Sequence, residues 1–526
     1  MNDQTIIDEQ ATATVNTADA KKHFAKNTLA ALLFYAFNTI TSIWMVPYQI
    51  SHLGISNYGM VSLANNFGNY MQLFTIVLVG IIARFVAEAS ARGDEAEAKA
   101  YFNTQFIGIT WALVVLLPLI ALVSYFAPVL FVVPKGQSVN TQYLFFFVLL
   151  SFLVAVYTSL FQVGTFVKQR LDLRNAIEGL IRLVRCGSWI VLFNLFAPKL
   201  WQIGLGTLAG ALAGLWATIY VFFKLTPQFK PSLRGFDKRK FITVTKSGGW
   251  MVVASLGMLF YYSADIFIVN RYLGPKATGQ FGTIAQLAAV LRTLIGMLFN
   301  ILTPPAIAFY AKQDWVSLMR LTARSVKFVS LSLAVLIGII CGLCVPTLTW
   351  WLGPKFVKLT PLMWLLLGHL VINLAMDMLS GITYTANAQV QQAAANVGGG
   401  VVKVVVAILM VNYTNLGLYG IAIADIIGHS LKNLVFAPLF SGYLMKQSSA
   451  PIYKAAIPAP IVFGATAGLA WWLSTAVNLA SFGGLAAATI GIGTVAGIGA
   501  FFLALSRDER RFIAELTPLG KREKPA

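Results

Sequence analysis

The chain has 526 residues, 58% of them hydrophobic and 11% charged, and its 39 Lys and Arg against 19 Asp and Glu give a net charge of +20. A soluble chain carries about a quarter charged residues, which excludes a soluble globular protein. A transmembrane β-barrel would need short alternating segments, and a nucleic-acid partner would need the basic residues gathered on one soluble module; neither pattern occurs.

The first 20 residues hold no Lys or Arg and no apolar core, so residues 1–27 are expected to be a polar cytoplasmic tail rather than a cleaved signal peptide. From Thr28 onward apolar runs of about 20 residues recur, the length that crosses a hydrocarbon core of about 30 Å as a helix. The expected spans are 28–50, 61–83, 105–127, 142–164, 180–198, 201–223, 247–270, 280–304, 327–350, 361–384, 394–412, 417–440, 456–475 and 483–505. This predicts an all-α polytopic membrane protein of about 14 helices: an N-lobe over 28–223, a basic cytoplasmic linker over 224–246, a C-lobe over 247–440, two extra helices over 456–505 and a basic cytoplasmic tail over 506–526. An inward N-terminus places 31 Lys and Arg in cytoplasmic segments, 6 in outer loops and 2 in mid-helix. That asymmetry obeys the positive-inside rule and sets both termini in the cytoplasm.

Two segments match without a gap at an offset of 220: HLGISNYG (52–59) with YLGPKATG (272–279), and SARGDE (90–95) with YAKQDW (310–315). An offset of six spans keeps the orientation, so spans 1–6 and 7–12 are expected to be related by a pseudo-two-fold along the membrane normal, with substrate held near the midplane at their seam.

Charges inside the spans are the candidate functional residues, because each is costly in lipid. Arg292 shares a helical face with Ala285, Ala289, Gly296, Asn300 and Thr303, while Leu287, Leu291, Leu294 and Leu298 occupy the other side. The arginine is therefore expected to face water or an anion, the alternative being a structural pair with an aspartate. Arg174, Glu178, Arg182 and Arg185 climb into span 5 on one face, with Glu178 able to hold one arginine, and Arg84 closes span 2. In the C-lobe, His369, Asn373, Asp377, Ser380 and Tyr384 share a face of span 10, and Asp425, His429 and Lys432 share a face of span 12. Asp265 lies in span 7 and Lys403 in span 11. In-line carboxylates and imidazoles suit a proton relay or a cation-coupling site, or ion pairs that only pin helices. Gly204, Gly206, Gly210 and Gly214, and the run GIGTVAGIG (491–499), read as helix-packing faces. Cys186, Cys341 and Cys344 lie within apolar runs and read as packing residues; no metal, cofactor, disulfide or redox role is expected.

The stretch IIARFVAEASARGDEAEAKAYFNTQF (81–106) resembles the end of span 2 and the following loop of polysaccharide transporters, and YYSADIFIVNRYLGPKATGQFGTIAQLA (261–288) resembles the opening of their second lobe. The chain thus resembles the Wzx-like O-antigen flippases of the MOP superfamily, although fourteen spans are more typical of the peptidoglycan-precursor branch. The resemblance implies a bacterial inner-membrane flippase for a polyprenyl-pyrophosphate-linked oligosaccharide, working for lipopolysaccharide O-antigen or other surface polysaccharide. Its partners would be that substrate, membrane lipids and the polymerase or export machinery, with no nucleic acid. It implies that Arg84 and Arg292 meet the pyrophosphate; Arg182 and Arg185, read from their shared face alone, are expected either to flank the span in the ordinary positive-inside way or to form an entry path for the anionic headgroup. Asp265 matches an aspartate that belongs to a cation site in some relatives, and Lys403 departs from that pattern by offering a tethered ammonium in the cation's place. The competing expectations are a MATE-like exporter of cationic drugs or metabolites and a membrane glycosyltransferase or polymerase. Against the latter, no carboxylate pair or nucleophile triad stands in any sizeable extramembrane segment.

Overall fold

The computed structural model describes residues 17–79, 82–168, 170–232, 235–477, 479 and 481–510, and every regular element among them is a helix. Residues 1–16 and 511–526, most of the two expected tails, lie outside the described residues. The chain forms two compact units, one made of Met1–Leu53 with Phe67–Val252, the other of Gly54–Asn66 with Val253–Ala526.

The first unit contains α1 (Thr17–Leu53), most of α2 (Ile55–Val79), α3 (Ile82–Ala91), α4 (Glu95–Leu130), α5 (Ser138–Phe161), α6 (Val163–Val167), α7 (Leu171–Leu195), α8 (Leu200–Leu225) and the start of α9 (Lys238–Ser263). Its core is aromatic: Phe102 stacks on Phe222 at 5.1 Å, and Phe161 meets Phe222 edge-on at 5.3 Å. The span-6 glycines pack as expected. A Cβ on Gly204 would lie 2.9 Å from the Leu144 carbonyl, and one on Gly210 2.7 Å from that of Ile181, so α8 approaches α5 and α7 backbone to backbone. The basic linker is fastened to α4, where Asn103 accepts from the Ser232 N–H and Thr104 from that of Asp237, each at 3.2 Å.

The second unit continues with α10 (Asp265–Ala311), α11 (Trp315–Gly342), α12 (Cys344–Trp351), α13 (Thr360–Gly368), α14 (Leu370–Asp377), α15 (Ser380–Thr385), α16 (Gln389–Tyr413), α17 (Leu418–Ser430), α18 (Ala437–Leu444), α19 (Ala450–Ala456), α20 (Pro458–Ala476) and α21 (Phe482–Gly499). Several expected spans are broken. Span 9 breaks at Leu343, which sets the buried free cysteines Cys341 and Cys344 on either side of the break rather than within one helix. Span 10 breaks at His369 and again at Met378–Leu379, and span 12 passes through a π-helical turn, Leu431–Phe436. α20 packs tightly on α11, since a Cβ on Gly342 would lie 2.4 Å from that of Ala470. The glycine run of α21 does not pack as expected. Gly491, Gly497 and Gly499 have nothing near a Cβ, and Gly493 has only Ile339 at 3.6 Å.

Nine helical stretches among the described residues are long and apolar enough to cross a membrane. The other five expected spans fall on α1, α2, α7, α9 and α10. Large apolar side chains such as Trp111, Val115 and Val129 of α4 are exposed, which water would disfavour and lipid accepts. The protein is an all-α, multi-pass membrane protein.

The internal repeat is visible in the backbone. Asp94 caps α4 by accepting from the Glu97 N–H at 2.8 Å, and Asp314 caps α11 by accepting from the Ser317 N–H at 3.0 Å. The five turn bonds around Asp94, from Arg92 N–H to the Glu88 carbonyl through Ala98 N–H to the Asp94 carbonyl, recur around Asp314 with each number raised by 220. Gly54 and Gly274, aligned in the other motif, share a left-handed φ of 80° and 81°. The two copies of that motif also meet inside the second unit. A Cβ on Gly59 would lie 2.3 Å from the Pro275 carbonyl, and one on Gly279 2.0 Å from that of Ile55, so the contact is reciprocal.

Candidate functional site

The second unit buries a cluster of charges that the sequence scatters over more than 160 residues. Glycines make the approach possible. Gly428 of α17 lies so close to α16 that a Cβ would be 2.5 Å from that of Lys403, and one on Gly400 would be 3.1 Å from the Tyr261 nitrogen at the end of α9. α16 is thereby wedged between α9 and α17, and Lys403 turns inward, fully buried.

Lys403 Nζ donates to Asp265 Oδ2 at 2.6 Å, to the Tyr261 carbonyl at 2.7 Å and to Asp425 Oδ1 at 2.8 Å. On the other side of Asp425, His429 Nδ1 lies 3.1 Å from Oδ1 and 2.9 Å from the Asp425 carbonyl, and His369 Nε2 lies 3.4 Å from Oδ2. The Tyr261 ring lies against His429, their centroids 4.2 Å apart. A second knot adjoins the first through the neighbouring tyrosine. Asp377 accepts from Lys432 Nζ at 2.5 Å and from the Tyr262 hydroxyl at 2.7 Å, and the Arg292 guanidinium lies over the Tyr262 ring at 4.9 Å. Charged side chains buried this deeply persist only when paired, and the geometry supplies a partner for each aspartate and each lysine.

Arg292 differs from these. It is half-buried, its Nε has no hydrogen-bond partner, and among the described residues no carboxylate lies within ion-pair distance of it. Ala289 and Gly296 on its face are exposed, and of the leucines expected on the opposite side Leu291 is buried and Leu294 exposed, so exposure does not separate the two faces. The Asn300 side chain lies outside the described residues. The guanidinium of this half-buried side chain is held by an aromatic ring.

The expected faces of spans 10 and 12 are divided by the breaks in their helices. His369 reaches Asp425 while Asp377 reaches Lys432, and Tyr384 is exposed. The π-helical turn begins between His429 and Lys432, so the two serve different aspartates instead of one continuous row. In the first unit, Arg182 donates to Asn38 of α1 rather than to Glu178, which makes no ion pair with the span-5 arginines among the described residues, because α1 packs along α7 at that level. Arg185 packs beside Gly210 and leaves its Nε without a partner. Arg84 lies in α3 with its side chain outside the described residues. Sequence reasoning missed Tyr261 and Tyr262, which bind Lys403 and Asp377; their place one turn before Asp265 was the available signal.

A family model described as polysaccharide biosynthesis protein matches residues 24–308. The membrane protein EpsK of Bacillus subtilis, strain 168, described as uncharacterized, is 30% identical over 495 residues, covering 93% of this chain and 97% of EpsK. Among solved structures, the lipid II flippase MurJ in an inward closed conformation aligns with a TM-score of 0.62 at 12% identity, over 91% of this chain and 99% of MurJ. An inward-facing multidrug resistance MATE transporter of the MOP superfamily aligns with a TM-score of 0.58 at 18% identity, over 78% of this chain and 95% of the other.

Proposed function

The chain belongs to the polysaccharide biosynthesis protein family, with the fold of MOP-superfamily transporters, and from that premise we propose that it is a flippase for a polyprenyl-pyrophosphate-linked oligosaccharide. It carries the headgroup from the cytoplasmic to the outer leaflet of a bacterial inner membrane by alternating access, with both termini cytoplasmic, and delivers it to the polymerase and export machinery of a surface polysaccharide.

The observation that carries this reading is Arg292, a permanent cation inside an apolar helix that no carboxylate neutralises among the described residues. A pyrophosphate stripped of water costs many kcal/mol, and a guanidinium fork replaces its hydration with charge-assisted hydrogen bonds. The apolar tail stays in lipid throughout. An inside-negative membrane contributes about 2.3 kcal/mol per charge per 100 mV to outward movement of an anion, so two charges gain roughly 4–5 kcal/mol.

The exporter reading is weaker, because a cationic drug needs an unpaired carboxylate, and Asp265, Asp377 and Asp425 are each bound to a lysine. The test is Arg292→Ala beside Arg292→Lys. Both are expected to express; the alanine variant should deliver no glycolipid to the outer leaflet and the lysine variant part of the normal amount. Normal delivery by Arg292→Ala overturns the assignment.

A further inference from the structure

Three oxygens converge on a single point in the second unit: Asp265 Oδ2, the Tyr261 carbonyl and Asp425 Oδ1, at 2.6, 2.7 and 2.8 Å from Lys403 Nζ. They come from the end of α9, the start of α10 and α17, and the lysine enters from a fourth helix, α16. Two carboxylates and a carbonyl, closed off from solvent, are the donor set of a hard cation. The ammonium has three N–H donors and meets three acceptors. Asp265 Oδ1 is buried without a hydrogen-bond partner, so the cage retains an oxygen that the ammonium does not use.

We propose that this cage is a monovalent-cation site which the chain keeps permanently filled with its own Lys403, so that no soluble ion is bound or exchanged there. The lysine stem fixes the ion's position and removes its exchange. Without the ammonium, two carboxylates would face one buried point, and like charges in a dry interior require a counter-ion. The inference rests on the proposed function only where transport is read; ion binding is read without it.

The purified protein is tested by thermal unfolding in N-methyl-D-glucamine chloride, with sodium, potassium or methylammonium chloride substituted at constant ionic strength. The wild-type Tm is expected to be the same in all four media. Lys403→Ala is expected to have a lower Tm that rises saturably with at least one small cation, methylammonium best matching the lost headgroup. Lys403→Met fills the stem's volume without charge and is expected to show no rescue. Asp265→Asn/Lys403→Ala removes one carboxylate with the lysine and is expected to lose most of the cation response. A sodium-dependent rise in the wild-type Tm overturns the proposal, as does a Lys403→Ala variant rescued only by acid. A Lys403→Ala Tm that none of the three cations raises also overturns it. Glycolipid delivery by the wild type in sodium-free medium is expected to be normal; loss of delivery with an unchanged Tm pattern would count against the transport scheme and leave the filled cage standing.

Discussion

Asp377→Asn removes the charge of the Asp377–Lys432 pair while leaving an oxygen for the Tyr262 hydroxyl to reach. The lysine is then stranded. It is 3% exposed, and the Tyr261 ring, 4.8 Å from its Nζ, offers only a cation–π contact worth about 0.5–2 kcal/mol. Deleting one partner of a buried pair costs about 3–5 kcal/mol, so a loss near the upper half of that range is expected. Lys432→Met strands the carboxylate instead, but Asp377 keeps the Tyr262 hydroxyl at 2.7 Å and its side chain is 23% exposed. Solvent and that hydrogen bond reduce the loss to about 1–3 kcal/mol. The double variant carries neither charge and is expected to be close to the wild type. Its loss should therefore fall short of the summed single losses by more than about 2 kcal/mol, a large coupling for two residues in contact. Reversible unfolding in mixed detergent and SDS micelles, followed by the fluorescence of the 12 tryptophans, gives all three values. If the single losses add, or if Asp377→Asn is as stable as the wild type, the pair is not the buried ionic contact described and the reasoning fails.

Gly428→Ala places a Cβ 2.5 Å from that of Lys403 and 2.9 Å from the Gly399 carbonyl. It is expected to cost about 1–3 kcal/mol by overpacking, with a lower Tm in the same detergent assay. Gly59→Ala and Gly279→Ala each push on one reciprocal contact, at 2.3 and 2.0 Å. The second is expected to be the more damaging, and the pair to lose less than the sum; strict additivity would mean that the two glycines serve separate contacts. Hydrogen bonds from the Ser317 side chain and N–H hold the Asp314 carboxyl below its ordinary value. Because the folded value lies below the unfolded one, this contribution is present above about pH 4 and is lost as pH falls through the folded value. Asp314→Asn, which can still cap the helix, should flatten the decline of Tm in that acid window. An unchanged acid slope would remove Asp314 from the account.

Hydropathy made the multi-pass helical architecture legible, because it follows from what lipid accepts at each position. The spacing of Leu-Gly and Asp was enough to reveal the repeat, because a left-handed glycine and a capping aspartate are demanded by local backbone geometry. Lys403, Asp265 and Asp425 were recognisable as costly intramembrane charges. The resemblance placed the Lys403 ammonium beside Asp265, but the joining of Asp425 to that pair was not legible, since helical periodicity says which residues share a face but not which faces meet. The same gap hid the Arg182–Asn38 bond, whose partners are 144 residues apart. The breaks at His369 and Met378 and the π-helical turn at 431–436 leave no strong mark in the sequence, yet they decide that His369 and Lys432 serve different aspartates.

The mutual seating of Gly59 on Pro275 and of Gly279 on Ile55 has the form of a homodimer interface contained in a single polypeptide. A patch in which the first residue touches the second's counterpart and is touched in return is self-complementary. A half-length forebear bearing one copy of the Leu-Gly motif would have matched a second molecule of itself there.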